Sequence, residues 1–483
     1  MSIMPELHTP IDVLCENLER TGQSHLARYM RGVTPASAQS TIAAQVQTID
    51  LDELASLIRR YITEAEHEPA QGRIAPASYY ALDGTAPDGS WDRAEYHARG
   101  EQLVREGKVA CFTVAGGQGS RLGFDGPKGC YPTSCVNDKS LFQLFAESIR
   151  ANEIKYACLI PWYVMTSPLN HDATVQFFEE HDCFGLTREQ IMFFNQGVMP
   201  SLDAETGEIL MRDPVHLATN PDGHGGAFKA LGVSGALTDM QTRGIEHVSY
   251  FQVDNPHARL IDPAFLGLHV FAPDSSGEFS SKMVSKASWD EKVGVFCSVD
   301  GRTEIIEYSD LDESLAKQTE PGGRLSFNAG SIALHAISVA FIDRVLHDKN
   351  AALPFHKALK KVPHFDLSTG QMVSPESNNA VKFEKFVFDG IPIADRSIVV
   401  ETDRVEEFAP VKNATGTDSI ESSKRLQSLR AARWLAEQGV VVPMKDNEVD
   451  ATIEISPLTA TCAEDLATKT LPEKIEPGST VVL

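Results

Sequence analysis

From Val109 onward the chain alternates short apolar runs with helical patterns, and this alternation restricts the fold more than any other feature. The runs VACFTV, LIPWYVM, IMFF and VSYFQV read as strands, and residues 141–152 and 173–181 read as helices between them. Strands separated by helices of this length predict a Rossmann-like α/β fold with a mostly parallel sheet and crossover helices, continuing to about residue 425. Upstream the pattern differs. Ile11, Leu14 and Leu18 fall at i, i+3 and i+7 after Pro10, and Leu51, Leu54, Ile58 and Ile62 repeat the period, so residues 1–68 read as helical. The Pro/Gly-rich residues 69–90 read as a surface linker, and residues 91–107 as a helix stopped by Gly107. Near the end, Val449, Ala451, Ile453 and Ile455 alternate with Asp450, Thr452 and Glu454, which predicts a half-buried strand. The expected organisation is an N-terminal helical lobe with linker (1–98), a central domain (99–425) and a small C-terminal lobe (426–483).

The most informative segment directly follows the first strand: AGGQGSRLGFDGPKG, residues 115–129. Its glycines let the backbone approach a ligand and take positive φ, and successive N–H groups in such a turn form an anion nest. Arg121 and Lys128 set two cations beside those donors. A dinucleotide fingerprint fails because its third glycine position is Leu122. A P-loop fails because Pro127-Lys128-Gly129 replaces the required Gly-Lys-Ser/Thr. The bland alternative, a tight turn with surface charges, accommodates six glycines and two cations in fifteen residues less well.

Composition narrows the classes further. With 43 Lys and Arg against 67 Asp and Glu, the net charge is −24, so a phosphate-tracking nucleic-acid binder is not expected. Phosphates must instead be held by a few placed cations and backbone N–H groups. Glu6, Asp12, Glu16 and Glu19 interrupt any signal-peptide core, and no run is long enough to span a membrane. Eight cysteines without a CxxC pair give neither a disulfide framework nor zinc spacing, and Cys111 reads as an inert core thiol. A cytoplasmic protein is expected.

GGQGSRLG followed by PKG resembles the signature of UTP:sugar-1-phosphate uridylyltransferases, in the eukaryote-type UDP-N-acetylhexosamine pyrophosphorylase branch. Eight further motifs fall in that family's order: FFNQGVMPSLD (193–203), PDGHGG (221–226), VDN (253–255), EKVGVF (291–296), IEYSDL (306–311), FNAG (327–330), EKFVFD (384–389) and FAPVKNA (408–414). EISPL (454–458) is a weaker echo. The resemblance implies a nucleotidyltransferase-type fold that joins UTP to a sugar-1-phosphate with Mg²⁺. It assigns Arg121, Lys128 and Lys412 to the phosphates, and Ala115, Gly116, Gly117, Gln196, Gly223 and Asp254 to the nucleotide, with Asp254 also holding the metal. It assigns His224, Gly294, Glu307, Asn328, Phe386 and Phe388 to the sugar. FNAG points to an N-acetylated hexosamine.

Without the family's pattern several of these residues read otherwise. Asp254, at the end of VSYFQV, is where open α/β sheets bind ligands, yet an Asp there also caps turns. Gln196 can pair with a uracil edge, but a lone Gln before a Gly is commonly a loop residue. Phe386 and Phe388, two apart on one strand face, fit core packing as well as a pocket wall. The chain departs from the family at His224, where Asn is usual, and at Ser331 and Leu334. An imidazole beside phosphate would be drawn above its reference pKa near 6.5, so affinity for the sugar phosphate is expected to strengthen from about pH 8 to 6. The competing activities are a glucose-1-phosphate or broad-specificity uridylyltransferase and, from another class, a non-catalytic nucleotide-sugar binder. The oligomeric state is not legible.

Overall fold

The computed structural model describes residues 8–64, 72–348, 351–446 and 448–483. Glu6, the last expected helical residues (65–68) and the first linker residues (69–71) lie outside the described residues. The chain forms two compact units: Met1–Ala70 with Gly197–Gly226 and Leu353–Val387, and Gln71–Gln196 with Ala227–Ala352 and Phe388–Leu483.

In the first unit, α1 (Ile11–Arg20), α2 (Ser24–Gly32), α3 (Ala36–Val46) and α4 (Leu51–Ile58) follow the apolar period read from the sequence. Asp50 starts α4 by accepting from the Glu53 N–H, an N-cap that satisfies one of the helix's orphan donors. Leu14, Leu18, Met30, Ile42 and Leu54 do not close a core alone; Leu202, Met211, Val381 and Phe383 from two later stretches complete it. The buried Gln23 ties the stretches polarly, donating to Gly207 O at 3.1 Å and accepting from Ile209 N at 2.8 Å.

The second unit is built on a ten-stranded sheet. Its strands are β1 (Ile74–Pro76), β2 (Val109–Val114), β3 (Trp162–Thr166), β4 (Ile191–Asn195), β5 (His247–Gln252), β6 (Phe279–Ser285), β7 (Val295–Val299), β8 (Arg302–Ile306), β9 (Ala329–Ser338) and β10 (Ile398–Glu401). The main path runs β1-β7-β9-β5-β2-β3-β4. The half from β5 to β4 is parallel, as the alternation predicts, and β9 joins it antiparallel. Helix α5 (Arg93–Arg105) leads into β2, and crossovers are supplied by α6 (Leu141–Tyr156), α7 (His171–Glu180) and α8 (Pro263–Phe271). Helix α5 begins at Arg93, not Trp91, because the Asp92 side chain accepts from the Ala94 N–H. It packs closely on α8: a β-carbon at Gly100 would stand 1.8 Å from Pro263 O, and one at Gly267 1.9 Å from Tyr96 O.

Two local expectations are corrected. The described part of the linker is not merely wrapped on the surface, because β1 pairs with β7 and Tyr80, 3% exposed, exchanges backbone hydrogen bonds with Val399 and Glu401. Near the C-terminus, α9 (Ile420–Glu437) covers β11 (Ala451–Glu454), which pairs in parallel with β12 (Ser479–Val482). Ile453 points inward as the alternation requires, but Glu454 is buried too. Its carboxylate accepts from Val136 N, Asn137 N and Asn137 Nδ2 at 2.7–2.9 Å, and these bonds hold its pKa below the usual range. All eight cysteines are free, and burial pushes the Cys111 thiol far up, as an inert core group. Among the described residues no helix is long and apolar enough to cross a membrane.

A buried ion cluster anchors the sheet's far edge. Lys282 on β6, 2% exposed, donates to Asp262 Oδ2 at 2.6 Å and to both Glu407 oxygens at 2.6 and 2.7 Å. Thr402 adds a fourth bond at 2.6 Å. Removing one member leaves uncompensated buried charge, so Lys282→Met should lose about 3–5 kcal/mol of stability, read as a clear drop in melting temperature. An unchanged melting temperature would show that water already reaches the cluster.

Candidate active site

The glycine segment leaves β2 at the carboxyl edge of the parallel half, the edge where open α/β sheets bind ligands. Ala115 is buried and bonded to Met165 O at 2.7 Å. Gly116 leaves room for a neighbour: a β-carbon there would lie 2.8 Å from Gln196 Oε1, so that side chain would have to shift. Gln196, 8% exposed at the end of β4, therefore sets its carboxamide against the loop backbone, which brings together two residues 80 positions apart. At Gly117 a side chain would meet only open space. The loop then tightens around Phe124, with Gly119 N bonded to Gly126 O at 2.9 Å and Lys128 N to Gly117 O at 3.1 Å. Arg121 is exposed and Lys128 half-buried, and neither forms an ion pair among the described residues.

Sequence reasoning missed what holds this loop. Asn170, 1% exposed, donates from Nδ2 to Ala115 O at 2.9 Å and Gly117 O at 3.2 Å. Its Oδ1 accepts from Ser167 N at 2.7 Å and Ser167 Oγ at 3.0 Å. The only sequence signal was an Asn at the entry to α7, which reads as an ordinary helix cap.

Beside β2, strand β5 delivers Asp254, half-buried, its carbonyl accepting from Val411 N at 2.8 Å. Lys412 follows directly; its Nζ is 3.5 Å from Asp418 Oδ2 and 5.4 Å from the Phe408 ring centre. Asn255, 4% exposed, locks the two segments together: Nδ2 donates to Glu407 O at 2.7 Å, and Oδ1 accepts from Ala409 N at 3.0 Å. The sequence presented Asn255 only as part of VDN, with no role attached. Asp254 supplies one carboxylate, and no group of three or more potential metal-ligating side chains occurs among the described residues. That donor set fits Mg²⁺, which is commonly held by one or two carboxylates together with substrate phosphates.

The expected sugar residues fall into separate groups. Gly294 and Glu307 are neighbours, since a β-carbon at Gly294 would lie 3.5 Å from Glu307 Oε1. Asn328 is buried on the same unit, its Nδ2 at 3.3 Å from both Tyr79 OH and Ser285 Oγ. Gly223, His224 and Phe386 belong to the first unit. There Gly223, at φ +83°, meets Lys385 O so closely that a β-carbon would be 2.3 Å away. The pairing of Phe386 and Phe388 on one strand face is corrected: the strand ends at Glu384, and Phe388 lies in the 3₁₀ turn Val387–Gly390. The Phe386 ring is stacked between His224 and His356, at 5.3 and 4.5 Å between centres.

That stacking also corrects the expected protonation of His224. Val387 N donates to its Nδ1 at 3.0 Å, and burial with the neighbouring His356 pulls its pKa down to about 4. The imidazole is therefore neutral at physiological pH. With its pKa at about 4, His224 in the ligand-free protein takes up no proton between pH 8 and 6, and the stability linked to it is present above the unfolded pKa and lost as pH falls through the folded one.

A mixed α/β domain with a glycine-rich loop at the carboxyl edge of its parallel strands is a nucleotidyltransferase-type architecture. The chain belongs to the UTP–glucose-1-phosphate uridylyltransferase family, whose model matches residues 54–456. It is 35% identical over 460 residues to the UDP-N-acetylglucosamine pyrophosphorylase of Saccharomyces cerevisiae, covering 94% of this chain and 92% of that one. It is 33% identical over 474 residues to UDP-N-acetylhexosamine pyrophosphorylase-like protein 1 of Xenopus tropicalis, covering 93% and 92%. The solved Trypanosoma brucei uridine diphosphate N-acetylglucosamine pyrophosphorylase, in complex with an inhibitor, superimposes with a TM-score of 0.80 at 26% identity, over 99% of both chains.

The parent and His224→Asn should show parallel pH profiles of apparent KM for the sugar phosphate between pH 8 and 6, since the folded-state pKa is about 4. Diverging profiles would mean that His224 gains a proton on ligand binding.

Proposed function

We propose that this protein forms UDP-N-acetylglucosamine and pyrophosphate from UTP and N-acetylglucosamine-1-phosphate. The observation that carries the reading is the closeness of Gln196 to Gly116, a carboxamide with both a donor and an acceptor set against a glycine-rich loop at one strand edge. Gln196 would read the uracil edge, while the loop N–H groups, Arg121 and Lys128 would receive the triphosphate. Asp254 would hold Mg²⁺, which when bound neutralises phosphate charge. Lys412 would orient the attacking sugar phosphate, and its contact with Asp418 is long enough at 3.5 Å to be exchanged for a phosphate oxygen.

A phosphate monoester with its second pKa near 6 is already ionised at pH 7, so the nucleophile needs no general base. The barrier is electrostatic: two anions must meet while charge grows on the leaving pyrophosphate. Positioning and preorganised cations address both. A non-catalytic binder would have no need of cations on both the leaving-group and nucleophile sides.

The names of the relatives support the N-acetylated sugar, and the Gly294–Glu307 pair and buried Asn328 would receive its hydroxyls and substituent. Gly223, His224, Phe386 and Phe388 keep the sugar and nucleotide roles that the resemblance gives them. The family model's own name favours a second reading, glucose-1-phosphate as acceptor. The free cysteines support a cytoplasmic location.

A panel of sugar-1-phosphates with UTP and Mg²⁺, followed by pyrophosphate release, should show N-acetylglucosamine-1-phosphate turned over at least about tenfold faster than glucose-1-phosphate, a difference of about 1.4 kcal/mol. Equal or faster turnover of glucose-1-phosphate would establish the second reading. No pyrophosphate with any sugar would refute both.

A further inference from the structure

Three strand ends of the second unit converge beside Asn328. Strand β6 stops at Ser285, β10 stops at Glu401, and β9 starts one residue after Asn328. The pairings Ser285↔Ala329 and Met283↔Glu401 fix how these ends meet. Tyr79 is brought to them by its neighbour Tyr80, which exchanges backbone hydrogen bonds with Val399 and Glu401. The Asn328 backbone is held as well, since its carbonyl accepts from Lys286 N at 2.9 Å and Gly330 N at 3.0 Å. Ser331, three residues along, donates to Gly294 O at 2.8 Å, so Gly294 borders the same stretch. With the backbone set, the direction of the Asn328 amide is decided by its side-chain partners.

An amide has a donor end and an acceptor end of nearly the same shape, so hydrogen bonding decides which way it points. A carboxylate makes the decision. Glu401 only accepts: Oε1 takes the Ser285 hydroxyl proton at 2.9 Å, and Oε2 takes Leu82 N–H at 3.2 Å. With its proton committed, the Ser285 oxygen can only accept in turn, and it does so from Asn328 Nδ2 at 3.3 Å. Tyr79 acts in the same sense. Arg324 Nη1, which can only donate, lies 3.2 Å from the phenol oxygen, and that oxygen also accepts from Asn328 Nδ2 at 3.3 Å. The two N–H donors of the amide therefore have two acceptors, and its Oδ1 has no donor among the described residues. Asn328 is buried, Tyr79 and Glu401 are half-buried and Ser285 is exposed, so the two long bonds act together rather than either one alone.

We propose that Ser285, Glu401 and Tyr79 are positioning residues that lock the Asn328 amide with its oxygen toward the acceptor sugar, and so select a sugar whose second carbon carries an amide N–H. The proposal rests on the reading that Asn328 meets that sugar. Locked this way, Oδ1 accepts from the N–H of a 2-acetamido group. Flipped, the amide would set its own N–H against that N–H, donor against donor. A hydroxyl at the same carbon both donates and accepts, so glucose-1-phosphate suits either orientation. Loosening the lock therefore penalises the N-acetylated substrate and spares the other.

Pyrophosphate release at saturating UTP and Mg²⁺, with N-acetylglucosamine-1-phosphate and with glucose-1-phosphate, tests it in the full chain. In Ser285→Ala and in Tyr79→Phe, kcat/KM for the N-acetylated substrate should fall about three- to tenfold, the worth of one hydrogen bond, mainly through KM. The values for glucose-1-phosphate, the KM for UTP and the melting temperature should stay at the parent's. Glu401→Gln can donate to Ser285 and so release the serine proton to the amide oxygen, and it should act the same way. Ser285→Thr keeps the hydroxyl and should keep the parent's substrate ratio. The two hydroxyl variants are independent, so one that fails to fold leaves the other to decide. An unchanged substrate ratio, or an equal loss with both sugars, overturns the positioning role, while the parent's preference for the N-acetylated sugar leaves the activity reading standing. A parent that prefers glucose-1-phosphate or releases no pyrophosphate overturns the activity reading, and the positioning role with it.

Discussion

The candidate site depends on one pairing, the parallel register of β2 with β5. Six consecutive residues from Val109–Val114 match His247–Gln252, and Val253 N continues the ladder to Val114 O at 3.1 Å. Two strands more than a hundred residues apart therefore end side by side, one releasing the glycine loop and the other Asp254. A one-residue slip would turn every side chain to the opposite face. The buried Val248, Tyr250 and Phe251 resist such a slip by packing on both faces of the sheet.

Beyond the register, two buried asparagines fix what the strands deliver. Asn170 holds the carbonyls of Ala115 and Gly117 and so fixes the path of the glycine loop, and Asn255 ties Asp254 to the segment that ends at Lys412. Both make buried hydrogen bonds to backbone groups, so each is worth more than one exposed hydrogen bond. The buried Lys282 cluster, through Glu407, anchors the same segment from below. In the proposed reading, a protein of net charge −24 would gather phosphates locally, because the attraction would come from a few fixed dipoles and cations and not from its overall field.

Much of this was legible in the sequence because periodicity and glycine chemistry are local. The alternating runs place β2 to β5, and the loop's composition announced a tight glycine turn directly after β2. What stayed hidden was non-local. Nothing in the sequence joins Gln23 to Gly207 or Leu54 to Phe383, so the helical stretch could not be seen to share a core with two later insertions. Glu454 sat at a solvent position of its alternation, yet three donors from residues 136 and 137 draw it inward. For His224, its loop suggested a phosphate partner, but the Phe386 stack and the Val387 N–H make it a neutral packed ring.

A single in-line displacement, driven by charge neutralisation without a covalent intermediate, is the central claim. It is tested most directly with UTP carrying sulfur at one α-phosphoryl oxygen of known configuration, followed by phosphorus NMR of the nucleotide-sugar product. One displacement with nucleophile and leaving group on opposite sides gives inversion at the α-phosphorus. Net retention would require two displacements through a uridylyl-enzyme, a nucleophilic side chain for which this account has no place.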